Sequence, residues 1–342
     1  MTGVRYAYFG PAGTFTEQAL LSWLATNQVD GERVPIATVD GALAALRAGT
    51  VDRAVVPIEN SVEGGVPSTL DALSAGDPLE VVGEVLVPIT FVLAAAAGVT
   101  LADITAVGTH SHAWAQVRGW MSANLPDALY VPTLSTASAA EGLSVGRDAG
   151  GSVSGSGGSG SGGSRSGGSA DVPETASYQA AVCAPVAATT HGLEVLATGI
   201  GDNAGAVTRF VVVARPGAIP HPTGADKTTV VLYQREDRAG ALLEMLEQLA
   251  ARGINMTRLE SRPTGAGMGS YCFSLDFEGH VLDERVGETL TGLHRICADV
   301  RFLGSYPRAD RTAATIDDLA TDDAFLEARS WLRSLRHREG LT

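Results

Sequence analysis

Thr208-Arg209-Phe210 sets a hydroxyl, a guanidinium and an aromatic ring side by side, where the turn-forming stretch Gly201 to Gly205 runs into the β-branched run Val207 to Ala214. A hydroxyl can donate to a leaving oxygen, a guanidinium can clamp a carboxylate, and a ring can exclude water. The plainer alternative is a buried strand whose first residues are still solvated. A second constellation, Glu59-Asn60-Ser61, offers acid, amide and hydroxyl directly after the apolar run Ala54 to Ile58, and Gly64-Gly65 follows. Polar groups at the carboxyl end of a buried strand are where open α/β sheets place their sites. A third is Gly10-Pro11-Ala12-Gly13-Thr14-Phe15-Thr16-Glu17, a Gly-rich turn opening a helix. Its unpaired N–H groups suit a carboxylate or phosphate, while Thr14 and Glu17 also stand at capping-box spacing.

The elements that must position these groups alternate. Residues 4–9 read as a strand, followed by a helix to about Ala25, a helix over Asp40 to Ala48, the strand Ala54 to Ile58 and a helix after Pro67. Glu80 to Ala97 carries strand-like runs expected to cross to a second lobe. The strand-like Thr105 to Gly108 leads into Thr109-His110-Ser111-His112, and Tyr130-Val131-Pro132 into Ser135-Thr136 and a further helix. His110 and His112 are two apart and diverge on a helix, so they read as one capping or pocket histidine and one surface histidine rather than a metal pair.

Composition limits the function classes. The chain has 342 residues, 45% hydrophobic and 18% charged, with a net charge of −14 and no basic cluster on any expected helix. Nucleic acid and anionic membrane surfaces are poor partners for such a chain. Three cysteines in apolar contexts, with no CxxC, point to a reducing compartment. The strand pattern starts at once with no leader, so the expected location is the cytoplasm. Lys227 is the only lysine and sits in a polar, Pro-rich connector in this reading, which argues against Schiff-base and P-loop chemistry.

Gly150 to Ser169 is Gly and Ser except for Val153 and Arg165, and it cannot bury apolar surface. It reads as a disordered loop insertion, about 25 Å end to end as a coil. After the connector the pattern changes. Strand Thr228–Gln234, helix Gly240–Arg252 with Leu242, Leu243, Leu246 and Leu249 inward, strands Ile254–Arg262 and Tyr271–Phe277 around a glycine hairpin, helix Glu284–Cys297 and strand Val300–Leu303 give β-α-β-β-α-β, the ferredoxin-like order. A helix is possible from Phe325 to Arg338.

Taken in order, Gly10-Pro11-x-Gly13-Thr14-Phe15-Thr16-Glu17, Pro57-Ile58-Glu59-Asn60-Ser61-Val62-x-Gly64, Thr69-Leu70-Asp71, His110 with Ala113 and Gln116, and Thr208-Arg209-Phe210 resemble the prephenate dehydratase family. Gly240-Ala241-Leu242-Leu243 and Glu260-Ser261-Arg262-Pro263 resemble the phenylalanine-binding motifs of an ACT domain. Ser111 and Ala239 stand where the family usually has proline.

The resemblance implies an α/β fold: a two-lobed catalytic domain similar to type II periplasmic binding proteins over 1–215, with its site in the cleft, and the insertion at about 144–174. A linker over 216–227, an ACT domain over 228–307 and a tail over 308–342 would follow. It implies a monofunctional lyase of L-phenylalanine biosynthesis, needing no metal or other cofactor, inhibited by phenylalanine and assembled as a homodimer or homotetramer. Thr208 would serve the leaving hydroxyl, with Glu59 as a possible proton relay. Arg209 would clamp a carboxylate, although an ion pair between lobes is its alternative, and Phe210 would wall the pocket. Gly13, Thr14, Phe15, Asn60 and Ser61 would hold the second carboxylate, and Thr109, Ser135 and Thr136 the other wall. Arogenate as substrate, or a non-catalytic sensor of the same fold, are the alternatives.

Overall fold

Three sheets carry the chain. The structure, a computed structural model, describes residues 3–149, 178–265, 267 and 270–337. The Gly/Ser tract lies outside the described residues. The chain divides into two compact units, one of residues 1–9, 19–87 and 207–342, the other of residues 10–18 and 88–206.

In the first unit, β1 (Val4–Phe9), β2 (Gly31–Ile36), β3 (Arg53–Asn60), β5 (Glu80–Pro88) and β11 (Val207–Ala214) lie in the order β2-β1-β3-β11-β5, and the two-residue β4 (Gly64–Gly65) pairs with β3. β1 is parallel to β2 and β3, whereas β11 runs antiparallel to β3. α2 (Val39–Arg47) turns Val39, Ala42, Leu43 and Leu46 onto this sheet, with Thr38 capping its start, and α3 (Pro67–Ser74) adds Leu70 and Leu73. β2 was not expected from the sequence: it is a largely exposed edge strand with Pro35 in it, so it lacks the apolar run that marks a buried strand.

The same unit holds β12 (Asp226–Tyr233), α8 (Ala241–Ala250), β13 (Met256–Pro263), β14 (Tyr271–Glu278), α9 (Glu284–Ile296) and β15 (Asp299–Pro307), in the expected β-α-β-β-α-β order. Its sheet order is β13-β14-β12-β15, every pair antiparallel. One face packs Val230, Leu232, Phe273, Leu275 and Phe277 under α8 and α9. The opposite face puts Val231, Cys272, Leu303 and Tyr306 into one core with Ala7, Val211 and Val213 of the five-strand path. A sheet buried on both faces loses its polar alternation. That explains Lys227: it lies inside β12, buried, and not in a connector, because Glu84 of β5 receives its ammonium at 3.0 Å. The C-terminal helix α10 spans Asp322–Arg336, capped by Thr321, and its Arg329 pairs with Glu284 and Glu288 of α9.

The second unit is built on β10 (Glu194–Thr198), β6 (Val92–Ala95), β9 (Ala180–Cys183), β7 (Ala106–Thr109) and β8 (Leu129–Pro132), in that order. β7 is parallel to both β8 and β9. The short helices α4 (Ser111–Ala115) and α5 (Arg118–Asn124) follow β7, and α6 (Thr136–Ala149) and α7 (Pro185–Thr190) cover the sheet through Ala139, Ala140, Ala187 and Ala188. α1 (Phe15–Asn27) starts in this unit and ends in the other. Among the described residues no helix is long and apolar enough to cross a membrane.

Candidate active site

In the first unit, β11 enters its sheet opposite the end of β3, with Thr208 facing Asn60 and Arg209 facing Glu59. Successive residues of a strand point to opposite faces, so Thr208 with Asn60 occupies one face and Arg209 with Glu59 the other. On the first face the Asn60 Oδ1 accepts from the N–H of Val62 at 2.8 Å, which turns its Nδ2 to donate to the Thr208 hydroxyl at 2.9 Å. Thr208 is therefore an acceptor toward Asn60. Its own hydrogen is directed elsewhere, and among the described residues nothing accepts it. Ser61 fixes the same junction: its Oγ accepts from the N–H of Val207 and its N–H donates to the carbonyl of Val207, both at 2.9 Å. Thr208 itself is only 7% exposed.

The other face corrects three expectations. Arg209 is 6% exposed, and its guanidinium is taken up. Nε donates to Glu84 at 2.6 Å, Nη1 to Asp276 at 2.5 Å and to Glu59 at 3.2 Å, and Nη2 to the Tyr306 hydroxyl at 2.8 Å. A cation held by three carboxylates has no charge left to clamp a fourth, so Arg209 is not the clamp. Nor is it the expected pair between lobes, since Glu59, Glu84 and Asp276 all belong to the first unit with it. Glu59 points with Arg209, away from Thr208, and cannot hand it a proton directly. Phe210 follows a register shift in β11 and is a 2% exposed core residue, not a pocket wall.

Asp276 lies at the centre of this cluster. Arg258 donates to both its oxygens at 2.9 Å and Thr229 donates to Oδ1 at 2.8 Å. Burial alone would push the Asp276 carboxyl up, but the guanidinium groups of Arg209 and Arg258 outweigh it and hold the carboxyl well below the usual range. Burial likewise lowers Arg209 less than Asp276, Tyr306 and Glu84 raise it, and the Tyr306 phenol is pushed up by burial. Glu84, Arg258, Asp276 and Tyr306 were not singled out in the sequence, and Lys227 was read as part of a connector. The available signal was a charge inside an apolar strand, as in Phe273-Ser274-Leu275-Asp276-Phe277.

In the second unit, Thr14 caps α1 by accepting from the N–H of Glu17, and the Glu17 carboxylate accepts from the N–H of Gly13 at 2.7 Å. Gly13 has φ +84°, and a Cβ there would lie 3.0 Å from the Ala187 Cα and 3.7 Å from the Ala137 Cβ. Ala137 is in the first turn of α6 and Ala187 in that of α7, so three helix starts meet at Gly13. In α1 and α6 one first-turn N–H is already taken, by Thr14 and by Ser135, and α7 opens on Pro185, which has no N–H. What remains for an anion, next to the Glu17 carboxylate, is the spot made by the earlier N–H groups of α1 and α6. Phe15 stands beside it, edge-on to Phe91 with ring centroids 5.7 Å apart. Ser135 caps α6 by accepting from the N–H of Ser138 at 2.9 Å, and Thr136 begins the helix. Thr109 is fully buried and donates to the carbonyl of Val182 at 2.8 Å, so it builds the sheet and does not line a site. His110 caps the short helix Ser111–Ala115 through Nδ1. Among the described residues no group of three or more His, Cys, Asp or Glu is gathered for a metal.

The motif Gly240-Ala241-Leu242-Leu243 opens α8, with Gly240 left-handed at its cap. Leu242 packs inward, but Leu243 is 59% exposed, because helical spacing gives the inward face to Leu242, Met245, Leu246 and Leu249. Glu260 to Pro263 lies on β13, an edge strand. Glu260 accepts from the N–H of Gly65 at 3.1 Å, Arg262 forks onto Asp71 at 2.7 and 2.8 Å, and Ser261 and Pro263 are exposed.

Comparison with known proteins supplies independent observations. Residues 6–218 match a family model described as Prephenate dehydratase. A protein of that name from Amycolatopsis methanolica is 43% identical over 336 residues, covering 98% of this chain and 99% of that one. A solved structure described as prephenate dehydratase in complex with L-Phe, from Arthrobacter aurescens, is 49% identical with a TM-score of 0.83, covering 97% of this chain and 99% of the other. Another solved structure, described as a quorum quenching acylase, is 28% identical with a TM-score of 0.71, covering 89% and 98%.

Proposed function

The chain belongs to the prephenate dehydratase family, and from that premise we propose that it converts prephenate to phenylpyruvate, carbon dioxide and water, and that L-phenylalanine inhibits it. In this reaction the ring carboxylate leaves as carbon dioxide. The electrons of the broken C–C bond enter the ring, and the C–O bond to the ring hydroxyl breaks as the ring becomes aromatic. The thermodynamic drive is the substrate's own. The protein must bind two carboxylates and help hydroxide depart. The prephenate dianion yields the phenylpyruvate monoanion, carbon dioxide and hydroxide, and the proton that turns hydroxide into water comes from solvent.

The observation that carries the reading is the Asn60–Thr208 pair. Because Asn60 donates to the Thr208 oxygen, the Thr208 hydrogen is not used on Asn60 and would serve as the donor for the departing hydroxyl. Threonine is too weak an acid to give up that proton alone, so its contribution is a hydrogen bond that strengthens as negative charge develops on the leaving oxygen. Ser61 and Asn60 hold the strand entry in place. With Arg209 committed elsewhere, the groups of the second unit that suit a carboxylate are the N–H groups where α1 and α6 begin, beside Thr14, Phe15, Ser135 and Thr136, while the Gly13 N–H is held by Glu17. No step in this scheme needs a metal or organic cofactor.

In this reading residues 228–307 are an ACT domain, and phenylalanine binds through Gly240 to Leu243 and Glu260 to Pro263. The relative from Arthrobacter aurescens, described as a complex with L-Phe, supports an amino-acid effector. The exposed Leu243 and the edge strand β13 suit contact with a second copy, and a homodimer or homotetramer is the assembly proposed. The test is product identification by proton NMR after incubation with prephenate, without added metal or cofactor. Phenylpyruvate ring signals support the reading. Their absence, with arogenate as well as prephenate, would overturn it.

A further inference from the structure

Thr208 and Arg209 are neighbours on β11, yet they look to opposite faces. One is the donor of the proposed reaction. The other ends in a buried cluster that reaches β3, β5, β14 and β15 at once. A second line arrives at the same place. Glu260, in the proposed effector motif, holds the N–H of Gly65, and Gly65 and Gly64 are the register partners of Glu59 and Asn60. Glu59 pairs with Arg209, and Asn60 holds Thr208. Both lines from the four-stranded sheet therefore end on the two cross-strand pairs that set the Thr208 hydroxyl.

We propose that Arg209 is a positioning residue, and that its buried ion cluster transmits the effector state of the four-stranded sheet to Thr208. This rests on the reading of the chain as a phenylalanine-inhibited prephenate dehydratase. The physical reason is the cost of separating buried charge. Arg209, Lys227 and Arg258 face Glu59, Glu84 and Asp276, three cations against three carboxylates. If β14 shifts, Asp276 cannot leave Arg209 behind without an unpaired charge in a dry interior, so β11 must follow. A displacement of Arg209 moves the adjoining Thr208 away from the geometry that donation requires, and a misplacement of about 1 Å is enough to slow chemistry by ~100-fold. The register shift between Arg209 and Phe210 gives β11 a point at which to yield.

Tyr306→Phe tests this, since it keeps the ring and removes only the oxygen that accepts from Arg209 and bonds Thr229. Thr229→Val is the second variant, cutting the link between Asp276 and Tyr306. Activity is measured against phenylalanine concentration, and phenylalanine binding is measured separately by calorimetry without substrate. The expected result is kcat without effector within about threefold of wild type, calorimetric affinity within about threefold, and residual activity at saturating phenylalanine raised about tenfold, a typical size for a lost coupling. Inhibition of both variants like that of wild type would overturn the proposal, as would loss of phenylalanine binding or loss of folding in both. A wild type that turns over prephenate but ignores phenylalanine would overturn the effector reading and this proposal with it. The wild-type curve thus separates the two failures.

Discussion

Thr208→Val exchanges a hydroxyl for a methyl of nearly the same shape, and the structure separates its two consequences. Asn60 Nδ2 reaches the Thr208 oxygen at 2.9 Å, so under the proposed role what is lost toward the substrate is one hydroxyl hydrogen. A preset donor that acts on developing charge is worth ~2.7–4 kcal/mol of barrier, so kcat should fall about 10²–10³-fold. The same change leaves the Asn60 amide without its acceptor near a 7% exposed position, which costs about 1–3 kcal/mol of folding stability. Thr208→Ser keeps the hydroxyl and should recover kcat to within about tenfold of wild type. The assay is the rate of phenylpyruvate formation at saturating prephenate, with thermal melts on the same samples. A folded Thr208→Val enzyme with kcat within about threefold of wild type, or with only KM raised, would refute the donor role.

Three further outcomes follow from the same geometry. Thr109→Val should cost about 1 kcal/mol, the usual worth of a lost hydrogen bond, and leave kcat and KM unchanged, because Thr109 serves the Val182 carbonyl; a tenfold rise in KM at intact fold would put it back on the substrate. Gly13→Ala should destabilise by roughly 1–2 kcal/mol from the left-handed backbone alone, and raise KM for prephenate as the new Cβ presses on Ala187; unchanged KM would count against the helix-start site. The Asp276 carboxyl titrates below its unfolded value, so the unfolded chain binds more protons in acid, and its contribution to stability is present above about pH 4 and lost as pH falls toward the folded value. Asp276→Asn should lower stability at neutral pH by about 3–5 kcal/mol and flatten the acid side of the melting profile; an acid slope equal to wild type would show that other carboxylates carry it.

Much of the fold was legible because its physics is local. Strands Val4–Phe9 and Val207–Ala214 are β-branched or aromatic runs, and the helix from Phe15 announces itself through Thr14 and Glu17. The cross-strand pair Thr208–Asn60 was half legible: both residues were named, but their register was not in the sequence. Arg209 shows where local reading ends. Three adjacent polar or aromatic groups suggested one pocket, and strand alternation sends Thr208 and Arg209 to opposite faces. What fills the Arg209 face comes from Glu84 and Asp276, 125 and 67 residues away. Lys227 was misplaced for the same reason, since a lone lysine after a Pro-rich stretch looks solvated until Glu84 is found against it. Leu243 erred the other way: an apolar residue beside the inward stripe of α8 faces outward.

The most direct test of the account is the initial rate of phenylpyruvate formation from prephenate by the purified wild-type chain, measured across a series of L-phenylalanine concentrations without added metal or cofactor. Turnover that phenylalanine suppresses is the expected result. Absence of turnover, or turnover that phenylalanine leaves untouched at every concentration, would contradict it.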